Sequence, residues 1–173
     1  MWYQFNGDPD FSCSHDTRIG TLDGAKWVCD PHRLTKQANR QMEQFKAEGR
    51  DVKAGCLVYS VGSNGNFKFE EALADYLPGT CEIHTFDFDP SYAKKVPKGK
   101  NIFYHPWGFK SSYVEKQQAD LSLGDFKTFD ETKAALGHVG RPIDIFKIDC
   151  EGCEWTTYKD WLTGRYSYAQ QTP

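Results

Sequence analysis

A chain of 173 residues is long enough for one domain with a real core and too short to divide comfortably into two, so a single domain over residues 1–173 is expected. Hydrophobic residues at 39% and charged residues at 26% are ordinary for a soluble globular protein, and a net charge of −3 argues against a generic basic surface for nucleic acid. No apolar run approaches the ~20 residues of a membrane span, and the N-terminus lacks the charged-then-apolar pattern of a signal peptide. Aromatics reach 15%, five of them Trp, which fits either a ring-rich core or a face that meets a ligand or partner.

Residues 1–34 carry turn signals (Asn6-Gly7-Asp8-Pro9, Asp23-Gly24, Asp30-Pro31) and no sustained period, so they read as an irregular, Cys-containing lead-in to an α/β core over 35–164. His15 and His32 read as loop histidines rather than ligands. From Thr35 to Glu48 the pattern turns helical: Leu34, Ala38, Met42 and Phe45 form a stripe, and Gly49 closes it. Cys56–Val61 is a nearly continuous apolar run, as expected of a parallel strand covered on both faces. The turn Gly62-Ser63-Asn64-Gly65-Asn66 opens a second helix with Phe69, Leu73, Tyr76 and Leu77 on one side, which Pro78-Gly79 stops. A second strand, Ile83–Phe88, ends in Asp87 and Asp89. Strand, glycine turn, helix and strand together make a βαβ unit of the nucleotide-binding kind.

Lys94, Lys95, Lys98 and Lys100 flank Pro97 and Gly99 and read as a solvated loop. Asn101–His105 is a short third strand, and Pro106–Phe109 a loop in which Trp107 or Phe109 either flanks an adenine ring or lids the core. The polar stretch Asp120–Asp130 reads as exposed. Thr128-Phe129-Asp130-Glu131 then has capping-box spacing for a helix that ends at Gly137. Ile143–Asp149 is a fourth strand. A final helix follows, with Trp155, Tyr158, Trp161 and Leu162 expected in the core and Gly164 at its end.

Three places carry chemistry. Gly and Asn in the turn tolerate left-handed backbone angles, so Gly62, Ser63, Asn64 and Gly65 can bend sharply and present N–H groups to a ligand. A carboxylate after the second strand, Asp89 or the nearby Asp87, is placed to accept hydrogen bonds from a ribose diol; the plainer reading of Asp89 is that it starts the Pro90 turn. After the fourth strand, Asp149, Glu151 and Glu154 crowd into six residues at the edge where an open α/β sheet keeps its site. Asp149, with Glu151, is the candidate general base or orienter of a substrate hydroxyl, although Glu151 and Glu154 also suit a helix N-terminus.

The six cysteines leave the compartment open. Cys56 and Cys81 start apolar strands and read as buried thiols, while Cys13 and Cys29 suit a disulfide in an oxidising setting. Cys150 and Cys153 form a C-x-x-C with no second pair at zinc spacing, so no metal site is expected. A redox role would need Cys150 near a helix N-terminus with a lowered pKa, which the flanking acids oppose.

The turn VGSNGN, the strand end FDFDP and the element KIDCEGCEW resemble the FkbM-like branch of S-adenosylmethionine-dependent methyltransferases. The lead-in GAKWVCDPH and the run CLVYSVGSNGNFKFE resemble more closely still the eukaryotic "methyltransferase domain" proteins. The likeness covers roughly Cys13 to Trp155, and KIDCEGCE is its most specific part. It implies a Rossmann-like, mostly parallel sheet of order 3-2-1-4 and S-adenosylmethionine as cofactor. Gly62, Ser63, Asn64 and Gly65 would pass under its methionine end, Asp89 or Asp87 would hold the ribose, and Asp149 would lie near the transferred methyl. It further implies metal-free O-methylation of a small molecule or sugar, and its frequent secretory members tilt the setting toward a lumenal or secreted one.

The chain departs from that pattern in three ways. Ser60 stands where the family usually carries an acid, Asn64 and Asn66 replace later glycines, and strands expected beyond the fourth are missing. Strand four would then have an unpaired edge unless a protein partner covers it, because the tail RYSYAQQTP has no strand-like length. Two readings therefore compete: an active methyltransferase acting on a small-molecule or glycan hydroxyl, and a catalytically inactive methyltransferase fold serving as a structural or interaction subunit. An NAD-dependent oxidoreductase shares the βαβ unit, but the turn lacks the third glycine of G-x-G-x-x-G.

Overall fold

The structure is a computed structural model that describes residues 13–112 and 124–162. Its centre is a four-stranded parallel sheet of β3 (Cys56–Val61), β4 (Cys81–Phe86), β5 (Ile102–His105) and β8 (Ile145–Ile148), in the order β5-β4-β3-β8. This is the expected 3-2-1-4 arrangement in a mixed α/β fold. Every residue of β3 and β4 is buried, as strands covered on both faces must be. β4 begins at Cys81 and stops before Asp87, so both acids of FDFDP lie beyond the ladder.

Alternation along the strands divides the core into two layers. Cys56, Val58 and Ile83 face α1 (Leu34–Ala47) and α2 (Lys68–Tyr76) through Leu34, Ala38, Phe69 and Leu73. Leu57, Tyr59, Val61 and Phe86 face the other way, onto Phe109 and Phe129. At the start of α3 (Phe129–Ala135) both halves of the capping box form: the Glu131 N–H donates to Thr128 Oγ1 at 3.2 Å and the Thr128 N–H to Glu131 Oε2 at 2.7 Å.

Four expectations are corrected. The lead-in is not irregular throughout: β1 (Asp16–Ile19) and β2 (Lys26–Cys29) form an antiparallel hairpin that buries Ile19 and Val28 in the first core layer. The segment after β5 is not a loop, because β6 (Trp107–Phe109) pairs in parallel with β7 (Asp125–Lys127), inside the stretch read as exposed. Cys56 and Cys81 are not thiols. They are register partners on adjacent strands, share a face, and form a disulfide. Cys13–Cys29 and Cys150–Cys153 are the other two bridges, leaving no free cysteine.

The fourth correction concerns α4 (Cys153–Leu162). Trp155 is 81% exposed and Tyr158 40%, while Thr157 and Asp160 are buried, so the helix turns its small and polar side inward. Asp160 accepts hydrogen bonds there from the Ser112 N–H, at 3.1 Å, and from the Ser112 hydroxyl. The side chains of Trp161 and Leu162, and Gly164 with the tail, lie outside the described residues. Among the described residues β8 pairs only with β3, and no helix is long and apolar enough to cross a membrane.

Candidate active site

A cavity of about 750 Å³ opens at the carboxyl ends of β3, β4 and β8. Its floor is the turn after Val61. Gly62 (φ +79°) and Asn64 (φ +48°) have left-handed backbone, as a sharp exit from a parallel strand demands. At Gly62 a side chain is also excluded by contact, since a Cβ would lie 2.6 Å from the Asp149 carbonyl carbon and 2.8 Å from Cys150 Cα. The glycine turn and the loop after β8 are therefore packed backbone to backbone.

The N–H groups of the turn are already engaged. Asp87 Oδ2 accepts from the Ser63 N–H at 3.0 Å and from the Asn64 N–H at 2.7 Å, and Ser63 Oγ accepts from the Gly65 N–H. Asp87 thus ties the end of β4 to the end of β3 and lines the cavity beside Gly62, Ser63 and Asn64. Gly65 does not line it. Asp89 is also outside the lining: its carboxylate accepts from the Ser91 N–H at 2.8 Å, a bond that lowers its pKa, and caps the 3-10 turn Pro90–Lys95. The Tyr104 hydroxyl donates to the carbonyls of Asp87 and Asp89 and holds this segment in place.

Asp149 lines the opposite wall, half-exposed at its side chain, 2.9 Å from Lys26 of the N-terminal hairpin. Its own N–H donates to the Val61 carbonyl at 3.0 Å. Glu151 is exposed on the rim, with φ +56°. Glu154 caps the loop: its two carboxylate oxygens accept from the Cys150 N–H at 2.6 Å and the Gly152 N–H at 2.7 Å. The Cys150–Cys153 bridge is part of the wall.

Aromatic rings complete the cavity, and of the expected pair Trp107 and Phe109 only Phe109 is among them. Phe88 and Phe126 stack at 5.8 Å between centroids, and Tyr92 stands beside them with its hydroxyl donating to Asn64 Oδ1 at 2.8 Å. Phe109 is shared between cavity and core. Trp107 stays out of the lining, packed on Phe86 and His105 with its indole N–H on Thr132 Oγ1.

Beneath the turn lie two buried ionisable groups that motif reading passed over. Lys147 Nζ donates to the Val61 carbonyl at 3.2 Å and to the Gly62 carbonyl, and burial lowers its pKa while Glu70 opposes the shift. Glu70, 1% exposed, accepts from the Ser60 hydroxyl; burial raises its pKa against that hydrogen bond. A buried carboxylate is thus present next to Ser60 after all, supplied by α2 rather than β3. The signals were a lysine within the apolar run of β8 and a glutamate beside Phe69 in the helix stripe.

A second polar cluster shares the strands but not the cavity. Glu82, His84 and His138 place one ligand-type atom each within 4.8 Å of one another. Arg141 holds Glu82 and the Ala54 carbonyl, the Tyr59 hydroxyl pairs with His138 Nδ1 at 2.8 Å, and His105 pairs with His84 Nδ1 at 2.8 Å. With a guanidinium on the carboxylate, the cluster is neutralised by its own members and is a poor match for a divalent cation.

What the cavity can do follows from its parts: carboxylates suited to a cationic or hydroxylated ligand, stacked rings suited to a flat heterocycle, and an open mouth beside Asp149. No curated protein and no solved structure matches this chain significantly. A family model described as a methyltransferase domain matches residues 1–171, nearly the whole chain and all of the elements above, so the chain belongs to the methyltransferase-domain family.

Proposed function

We propose that the cavity binds S-adenosylmethionine and that the protein transfers its methyl group to a hydroxyl oxygen of a small molecule or glycan. The observation that carries this reading is the meeting of Gly62, Asp87 and Asp149 around one cavity at the strand carboxyl ends, in a chain of the methyltransferase-domain family. The volume suits a ligand of this size. The cofactor, when bound, supplies a methyl group on a cationic sulfur. Asp87 and Asp149 offer the negative charge such a cation needs, and the Phe88–Phe126 stack offers a platform for its adenine. Asp149 would orient the acceptor hydroxyl and take its proton, with Lys26 fixing the carboxylate, and S-adenosylmethionine would supply the methyl group, its sulfur leaving as the thioether of S-adenosylhomocysteine. Within the family, VGSNGN, FDFDP and KIDCEGCEW favour the FkbM-like branch, and three disulfides favour a secretory-lumenal or secreted setting.

A second reading rests on the edge of β8, which pairs only with β3 among the described residues: a non-catalytic subunit whose protein partner covers that edge. Calorimetric titration with S-adenosylmethionine and S-adenosylhomocysteine separates the two. Micromolar binding supports the enzyme reading, whereas no heat and no thermal stabilisation of a folded chain would sink it and favour the subunit.

A further inference from the structure

We propose that Cys150–Cys153 is a thiol-exchange site in the wall of the cavity, and that its opening by a small thiol such as glutathione loosens the grip of the cavity on its ligand. The coupling half of this inference rests on the cofactor reading above; the exchange half does not.

The three bridges occupy different surroundings. Cys56–Cys81 staples two central strands, with its residues 1% and 5% exposed, and an attacking thiolate reaches it only if the sheet opens. Cys13–Cys29 ties the chain before β1 to β2. Cys150–Cys153 closes a loop of three-residue separation, is half-buried at both ends, and faces the cavity. Access of the attacking thiolate to a bridge sulfur is a condition for fast thiol–disulfide exchange.

Acids around the pair oppose a redox role in principle, because they disfavour the thiolate. Each is compensated here. Asp149 is paired with Lys26, both oxygens of Glu154 are engaged by backbone N–H groups, and Glu151 is exposed to water. Cys153 is the first residue of α4, where the helix dipole favours the thiolate.

The step balances. A thiolate attacks one sulfur of the bridge, forming a mixed disulfide and releasing the other cysteine as a thiolate. A second thiol then displaces the first cysteine. Two thiols become one disulfide, and their two electrons and two protons leave two reduced cysteines on the protein.

The ligand senses this because the loop is the neighbour of the glycine turn. Cys150 Cα and the Asp149 carbonyl abut Gly62, and the bridged loop holds Glu151 in a left-handed conformation that an L-residue adopts only at a cost. Once the bridge opens, that restraint is gone and the wall formed by residues 149–153 relaxes.

The full chain, equilibrated in graded glutathione buffers and quenched with an alkylating agent, reports each cysteine by mass spectrometry. Cys150 and Cys153 should label at ratios that leave Cys56 and Cys81 untouched, also in a Cys13→Ser/Cys29→Ser variant. Labelling of all four together would overturn the proposal. S-adenosylhomocysteine should then bind the reduced chain roughly tenfold more weakly, and by reciprocity saturating ligand should shift the glutathione midpoint by the same factor. A Cys150→Ser/Cys153→Ser variant should match the weaker state and ignore glutathione. Equal affinity in both states refutes the coupling. Binding by neither state overturns the cofactor reading and the coupling with it, while the labelling still decides the exchange.

Discussion

The two polar clusters on this sheet use similar residues to opposite ends. Tyr59 of β3, Glu82 and His84 of β4 and His105 of β5 pack with His138 and Arg141 of the segment before β8, and none of them lines the cavity. At the carboxyl ends, Asp87 and Asp149 also have protein partners, yet both stand on a cavity wall. The lesson is that a buried or perturbed titratable group is not a site by itself. Large pKa shifts occur in the closed cluster without any ligand to serve, because desolvation dominates there: His84 and His138 are pushed down to about 4 and His105 to about 3. Open space beside the group is what separates the cavity wall from the packed cluster here.

This contrast can be broken from either side. The largest effect should come from Asp149→Asn, which removes the proposed base: turnover should drop by about 10²–10⁴-fold, well beyond the weaker S-adenosylmethionine binding that loss of one of two carboxylates brings. Unchanged turnover with a confirmed acceptor would remove Asp149 from the chemistry. In the closed cluster, Arg141→Ala leaves Glu82 buried without its cation. Urea denaturation should show a loss of about 3–5 kcal/mol, with ligand affinity of the folded fraction preserved.

Next in size is the pair of acids after β4. Asp87→Ala should weaken cofactor binding by roughly 1.5–3 kcal/mol, the size of a hydrogen bond to a charged group. Asp89→Ala should change affinity less than about twofold, since Asp89 caps an exposed turn. The reverse ranking by calorimetry would return the ribose to Asp89.

The broadest effect is with pH. A histidine whose folded pKa lies below its unfolded value of about 6.5 binds its proton more readily in the unfolded chain. The closed cluster therefore contributes fully above about pH 6.5, and its contribution is lost as pH falls toward 4. Melting temperature should decline across that window. A flat profile from pH 7 to 5 would show that these rings are not held neutral.

Much of the fold was legible because its signals are local. The apolar run of β3, the glycine turn, the capping box Thr128–Glu131 and the stripe of α1 each follow from neighbouring residues, and they lead to the parallel sheet that the structure has. KIDCEGCE and FDFDP drew attention to loops that line the cavity, although between the two acids of FDFDP residue types alone could not choose. Asp87 and Asp89 are chemically the same and two residues apart, and only where β4 stops places one on the cavity and the other on a turn.

The aromatic stripe of α4 misled, because Trp155 and Tyr158 satisfy a helical period whichever way the helix is rotated, and the contacts of Asp160 with Ser112 set that rotation. The sequence by itself determined the four central strands, the main helices, their order and the stretches whose loops line the cavity. Tertiary structure alone decided the partners. Strand register joined Cys56 to Cys81, packing brought Arg141 to Glu82 across 59 residues, and the hairpin carried Lys26 to Asp149. Such pairings depend on how distant segments come together in space, which no local pattern encodes.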